Sequence, residues 1–552
     1  MKHTRQPACL NNAESKKTVF YHNGLLTVLL IFICLNGHGQ DKKNRENFLN
    51  AEYYLEQQKY DNAIVFYNYI LQHDSLNAFI NYRVGQCFFN IREKQNRAFP
   101  YFIKAAANVA SGKDKPGFTT GLAPPDVFYL LGEMYQRNYR LDEALQSILE
   151  YKDLLIIAKE DKSLKKANFK IQSIAIAKSM IENPLKVKVQ NLGPVINTRF
   201  SDYNPVVTPD EEILLFTSFW ESTDIIFESK KMNGSWAEPV DITTQLGSDG
   251  TFYTSGISAD GKELFLVKLS DYNCDIYVSH FNDTFWTPVV KLNNKINTIN
   301  HETSASVSSD GNYLYFSSDR EGSFDIYRSE RINNDWEKPE KLGSTINTPF
   351  DEISPYITVD GKKLFFSSDG HRNMGGMDIF FSALLDDGTW SKPLNAGYPV
   401  NTTGDDFFYV PVKNGEIAYC SKYSPDGQGR NDVFRIAYPI ETKYAEIIRE
   451  VTEKRDVDNK LASLKDITTN KTDSFCIQIM AVRHYLDPKY FKEFENINVF
   501  LGTDSLYRYV ISSYNNQSGS NKLLEKVRDL GYNDAFIRTI CSLQAIKNGN
   551  GN

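Results

Sequence analysis

Apolar and polar positions change their period along the chain, and each change marks an element type. Across residues 44–180 the apolar positions recur at helical spacing, with small and large residues alternating in a fixed order: Ala51, Tyr54, Ala63 and Tyr67, then Gly85, Phe88, Ala98 and Phe102, then Gly132, Tyr135, Ala144 and Ile148. Across 186–440 the pattern becomes short branched and aromatic runs, such as 213–218, 263–267, 313–318 and 363–368, bounded by Asp, Asn and Gly; these predict strands. The stretch 441–472 is charged with little apolar content and predicts a solvated helix or linker. Strand and helix patterns then alternate over 473–545. Strands are expected at 474–482, 498–501, 506–514 and 535–540, and helices at 488–494 and 518–530, with Gly531 as a helix stop.

The N-terminus stands apart. Lys2, Arg5, Lys16 and Lys17 against Glu14 precede an 11-residue apolar run at 25–35, and Gly37 and Gly39 follow. This order reads as a signal peptide over 1–39 cleaved before Gln40, with an uncleaved N-terminal anchor as the alternative. The run is short for a bilayer span, which needs about 20 residues.

Composition narrows the function. The 552 residues carry a net charge of −7, with 41% hydrophobic and 24% charged residues, a globular balance that lacks the basic excess of a nucleic-acid binder. Beyond the leader the cysteines are Cys87, Cys274, Cys420, Cys476 and Cys541, sparse and without Cys-x-x-Cys spacing, so neither a disulfide framework nor a zinc site is indicated. No Gly-x-Ser-x-Gly elbow, phosphate-binding Gly-rich loop or His-Glu-x-x-His pair occurs, and His73, His280, His301, His371 and His484 show no ligand spacing. The expectation is a protein that is not an enzyme and holds no metal or cofactor. Aromatic residues, at 13%, are the unusual component.

Two internal repeats carry the architecture. Ala51 and Gly85 lie 34 residues apart, and 57–63 and 137–144 share a turn followed by Ala. The helical region thereby resembles a tetratricopeptide array, an α-solenoid of about three repeats, interrupted at 111–125. In the strand region Asp260-Gly261, Asp310-Gly311 and Asp360-Gly361 lie 50 residues apart, with Asp210-Glu211 in the same register. Each unit adds an Asp followed by a branched residue (Asp224, Asp275, Asp325, Asp378, Asp432). Further markers are a Trp ahead of a Pro (Trp236, Trp286, Trp336, Trp390) and an Ile/Val-Asn-Thr crossing at Asn197, Asn297, Asn347 and Asn401. Short strands in a repeat of this length predict a β-propeller of five blades, with six as the alternative, closed by the strand at 185–192. The repeated turn Asp residues are expected to accept backbone hydrogen bonds rather than do chemistry. The longer loop 369–378 is either a surface insertion or part of a binding face. The block Ser308-Ser309-Asp310-Gly311, with Ser317-Ser318-Asp319-Arg320 and Asp325-Ile326-Tyr327, is similar to the TolB-like, WD-type propeller repeat.

The last segment has the β-α-β-β-α-β order of a ferredoxin-like α+β domain. Phe475-Cys476-Ile477-Gln478-Ile479, Leu506-Tyr507-Arg508-Tyr509-Val510 and 527–536 resemble a sporulation-related repeat (SPOR) domain. That resemblance implies peptidoglycan binding on the open sheet face, with Gln478, Tyr507, Arg508 and Tyr509 near the glycan. The chain departs from the family at Met480-Ala481-Val482 and Ser512-Ser513-Tyr514, where a Gly-x-Phe pattern is usual, which leaves a protein-contact role open. In this sheet order the first and last strands are neighbours, so a Cys476–Cys541 disulfide is a further expectation. The succession of leader, helical array, propeller and SPOR-like domain resembles Bacteroidetes periplasmic scaffolds that link type IX secretion and gliding machinery to the wall. The resemblance implies a non-catalytic periplasmic scaffold, peripheral to the outer membrane at most, with envelope proteins and peptidoglycan as partners and no nucleic acid. A ligand-sensing or enzyme-associated propeller is the competing expectation.

Overall fold

The computed structural model describes residues 31–438, except 92–93, 221, 271–272 and 424–426, together with 475–482, 491, 494, 497–501, 507–514, 517–530, 532 and 535–539. The expected leader up to residue 30 and the charged linker 441–472 lie outside the described residues. Two compact units divide the chain, one of residues 1–6 and 175–472, the other of 7–174 and 473–552.

Helices follow one another as α1 (Ile31–Glu56), α2 (Tyr60–Leu71), α3 (Ala78–Asn90), α4 (Phe99–Ala106), α5 (Asp126–Arg137), α6 (Leu141–Ala158) and α7 (Asp161–Glu182), all in the second unit except the end of α7 from residue 175 on. The small residues of the repeat sit where helices cross. A Cβ on Gly85 would lie 2.5 Å from the Phe102 ring, and one on Gly132 would lie 2.5 Å from Ile148. The shared turn has a left-handed residue in both repeats, Gln58 at φ 55° and Tyr139 at φ 59°. It lets Lys59 N bond Tyr54 O and Arg140 N bond Tyr135 O, closing each helix end. The interruption at 111–125 folds back on the first repeat: Phe118 stacks on Phe48 at 4.7 Å, and Ala78 N donates to Gly121 O at 3.0 Å.

The C-terminal part of the second unit is a four-stranded antiparallel sheet ordered Ile497–Leu501, Tyr507–Tyr514, Phe475–Val482, Phe536–Thr539, with α8 (Gln517–Asp529). The first and last strands are neighbours, as the ferredoxin-like order requires.

The first unit contains, among the described residues, five antiparallel sheets whose middle strands are Ile213–Trp220, Glu263–Leu269, Tyr313–Ser318, Lys363–Ser368 and Ile417–Tyr423. Alternate residues of a middle strand pack on opposite neighbours. Leu264 and Leu266 meet Leu215 and Ile226 of the first sheet, whereas Phe265 and Val267 meet Leu314 and Phe316 of the third. Tyr315 meets Leu364 and Phe366, Phe365 meets Tyr409 and Ala418, and Tyr419 and Val433 meet Leu214 and Phe216. Five sheets with five such seams make a closed ring of five blades. Burial on both faces explains why the strands read as unbroken apolar runs and why the chain is rich in Phe and Tyr.

The last blade is completed by Lys188–Asn191, which pairs antiparallel with Asn431–Ala437, so the ring closes with strands from both ends of the repeat region. The Asn of each crossing segment staples it to the blade it leaves. Asn297 accepts from Ile276 N at 2.8 Å and donates to Ile276 O at 2.9 Å. Asn347 treats Ile326 alike, Asn401 treats Ile379, and Asn197 treats Val433. In the first blade Thr243 replaces the Asn, its hydroxyl accepting from Ile226 N at 2.9 Å.

Candidate functional site

Side chains alternate across a strand, so Tyr507, Arg508 and Tyr509 cannot share one face. Tyr509 is fully buried and packs 5.2 Å from the Phe491 ring, placing it and Tyr507 on the core side of the sheet. Arg508 lies on the other side with Val510, and Val510 pairs with Gln478. The structure therefore brings Gln478 and Arg508 to one face and keeps the two tyrosines from it.

That face carries residues the sequence reading did not single out. Arg538 donates to Gln478 Oε1 at 2.8 Å, and its guanidinium lies 5.7 Å from the Phe536 ring. Phe500, paired with Arg508 and packed on the buried Cys476 and Val510, and the exposed Asn498, paired with Val510, lie on the same face, where Gln478 itself is buried. Period-two alternation from Gln478 along the neighbouring strands is the signal that would have found them. Guanidinium donors beside an aromatic ring can meet sugar oxygens while the ring covers an apolar sugar face.

Cys476 on the same face is a buried free thiol, held above its usual pKa, at about 11, by burial. Arg538, three residues short of Cys541, stands opposite it, and Cys541 lies outside the described residues.

In the ring, the turn carboxylates of the repeat are absorbed by backbone N–H groups and neighbouring hydroxyls, whereas Asp224 accepts from Tyr203 and Asp275 and Asp325 pair with Lys291 and Lys341. Asp260 Oδ1 accepts from the Ser258 hydroxyl and Lys262 N, and Asp310 Oδ1 from the Ser308 hydroxyl and Asn312 N; these bonds hold both carboxyls below the ordinary range. A second set lies four residues after the crossing Thr: Asp202, Glu302, Glu352 and Asp406 each accept from the backbone N and hydroxyl of that Thr. In the second blade Phe252 takes this place. Burial pushes Asp202 up to about 6 and Glu352 up to about 7. Glu302 differs in having Arg320 at 3.2 Å, at a position where the next blade has Gly370.

The loop 369–378 is fitted rather than loose. Met374 and Asn373 are buried, and Cβ atoms on Gly375 and Gly376 would collide with Thr403 and Asp405 of the last blade at 2.5 and 2.0 Å. First strands of adjacent blades bond to one another at the hub: Asn204 Nδ2 donates to Thr254 O at 3.3 Å, and Ala305 N to Ser255 Oγ at 2.5 Å. Bulges there place Asn204, Ser304 and Ser354 at φ between 49° and 54°, and Phe408, ahead of the last blade's first strand, has φ 50°. Among the described residues no group of three or more His, Cys, Asp or Glu side chains is placed to hold a metal ion.

No protein family and no curated protein matches the chain. Among solved structures, TolB from Acinetobacter baumannii is similar over 45% of this chain and 56% of its own, with 21% identity and a TM-score of 0.30. A thermostable family-43 glycoside hydrolase matches over 44% of this chain and 91% of its own, at 14% identity and a TM-score of 0.32. An α-L-arabinofuranosidase from Lactobacillus brevis matches over 46% and 94%, at 15% identity and a TM-score of 0.31. The chain thus spans little more than half the length of that TolB. At these scores the five-bladed ring rests on its own five seams.

Proposed function

We propose that this chain is an exported, non-catalytic scaffold of the cell envelope, working in the periplasm. Its helical array and ring bind envelope proteins, and its C-terminal sheet tethers the assembly to peptidoglycan. The observation that carries the reading is the sheet face on which Gln478 fixes Arg538 beside Phe536, with Arg508 and Phe500 alongside. Two repeat arrays support it, because stacked units present extended surfaces for protein partners. The succession of domains resembles that of type IX secretion and gliding scaffolds, and association with such machinery at the outer membrane is part of the proposal. Among the described residues no helix is long and apolar enough to cross a membrane.

Co-sedimentation of the full chain with purified sacculi tests the tether. Retention that is lost after the glycan is digested supports it, and a chain that stays in the supernatant removes it.

One observation favours a second reading, a ring that senses a small ligand at its hub. Left-handed backbone at four non-glycine residues stores strain of a kind that gathers at binding sites. A soluble ligand that stabilises the ring while sacculi do not bind would favour that reading.

A further inference from the structure

The helical array and the C-terminal domain lie within one compact unit, and their seam is polar. Asn168 on α7 donates through Nδ2 to Leu530 O at 2.7 Å, across 362 positions of chain. Lys152 on α6 lies with its Nζ 5.5 Å from the Phe491 ring. Both residues are 1% exposed. The last helices of a solenoid normally turn a polar face to water. Here that face is covered: Gln172, one turn on from Asn168, is buried as well, while Lys170 and Ser173 meet Glu133 and Gln136 of α5. Phe491 packs at a tilt against Tyr509 and Tyr532 on the core side of the sheet, so the seam uses the side opposite Gln478, Arg508 and Arg538.

We propose that α6 and α7 form a docking site for the chain's own C-terminal domain, closed by this polar latch. The sheet face with Arg508 and Arg538 is then presented by a stiff helical arm rather than by a free tether. Asn168 and Gln172 stand four residues apart on one face of α7. Asn168 Oδ1 and Gln172 Nε2 are buried there without a hydrogen-bond partner, which makes the seam weaker than an apolar one of equal size and therefore releasable. A protein that covers α6 and α7 would compete with the docked domain, while a ligand on the far face would not.

The test is hydrogen–deuterium exchange of the full chain against its Asn168→Asp variant, which turns the latch donor into an acceptor facing a carbonyl. Exchange over 161–173 and 517–530 should rise about tenfold in the variant, with α3 unchanged as the control for folding. A short bismaleimide bridge between Asn168→Cys and Leu530→Cys, mapped by mass spectrometry in the monomer fraction, shows that docking is within one chain. Unchanged exchange, or a bridge confined to dimers, overturns the proposal. Neither readout uses wall retention, so loss of the tether and loss of the latch are told apart.

Discussion

Glu211 shows how one residue can break a repeat for a reason. It occupies, at φ 61°, the left-handed turn position that Gly261, Gly311 and Gly361 hold in the next blades. Its carboxylate, 1% exposed, joins Tyr419 at 2.6 Å and Arg435 at 2.9 Å from the last blade, with Lys413 at 2.8 Å and Lys231 at 3.2 Å. Burial alone would raise its pKa, but hydrogen bonds from Arg435, Lys413 and Tyr419 outweigh it and bring it to about 2. Its stabilising contribution is therefore present above about pH 4 and lost as the pH falls toward 2. Glu211→Gly relaxes the backbone and removes the carboxylate. We expect it to destabilise the ring by about 2 kcal/mol, read as a fall of several degrees in its melting transition. Asp202 and Glu352 have the opposite sign. Their folded values of about 6 and 7 lie above ordinary carboxyl values, so their contribution is full below about pH 4 and fades as the pH rises through those values. The ring's melting temperature should decline between pH 5 and 8, and Asp202→Asn should flatten that slope; calorimetry across this range decides it.

At the scale of elements, the blade seams set the tolerances. A Cβ on Gly256 would fall 2.1 Å from the carbonyl oxygen of Ala305 in the next blade, and a backbone atom cannot swing aside. Gly256→Ala should cost the ring about 3 kcal/mol, whereas Gly234→Ala in an open turn, with no neighbouring atom within 4 Å, should lose only the smaller cost of its positive φ. Urea melts of the two variants make the comparison. Much of this scale was legible in the sequence, because both repeats announce themselves through residues with backbone jobs. The small residues mark helix crossings, the Asn of each crossing segment staples a strand, and the turn Asp caps a hairpin. Other features were hidden for physical reasons. Thr243 does the work of the missing Asn at the first crossing, a substitution of chemistry rather than of identity. The fit of the loop at 369–378 depends on Thr403 and Asp405, distant in the chain. Tyr507, Arg508 and Tyr509 were read as one platform, but a strand sends neighbours to opposite sides, and the partners of Arg508 come from other strands.

At the scale of the molecule, the chain joins two repeat arrays of different geometry to one small sheet with Arg508 and Arg538 on one face. In the proposed reading the ring and the helices supply surface for proteins, and the sheet supplies the tether. The contrast between the two faces of that sheet is the sharpest test of wall tethering. Binding isotherms of the full chain on purified sacculi should be measured for the wild type, for Arg508→Ala with Arg538→Ala, and for Tyr509→Phe. We expect at least a tenfold loss of affinity for the arginine pair and wild-type binding for Tyr509→Phe, whose ring stays in the core. Wild-type binding by the arginine variant, or no binding by any of the three proteins, would contradict the tether.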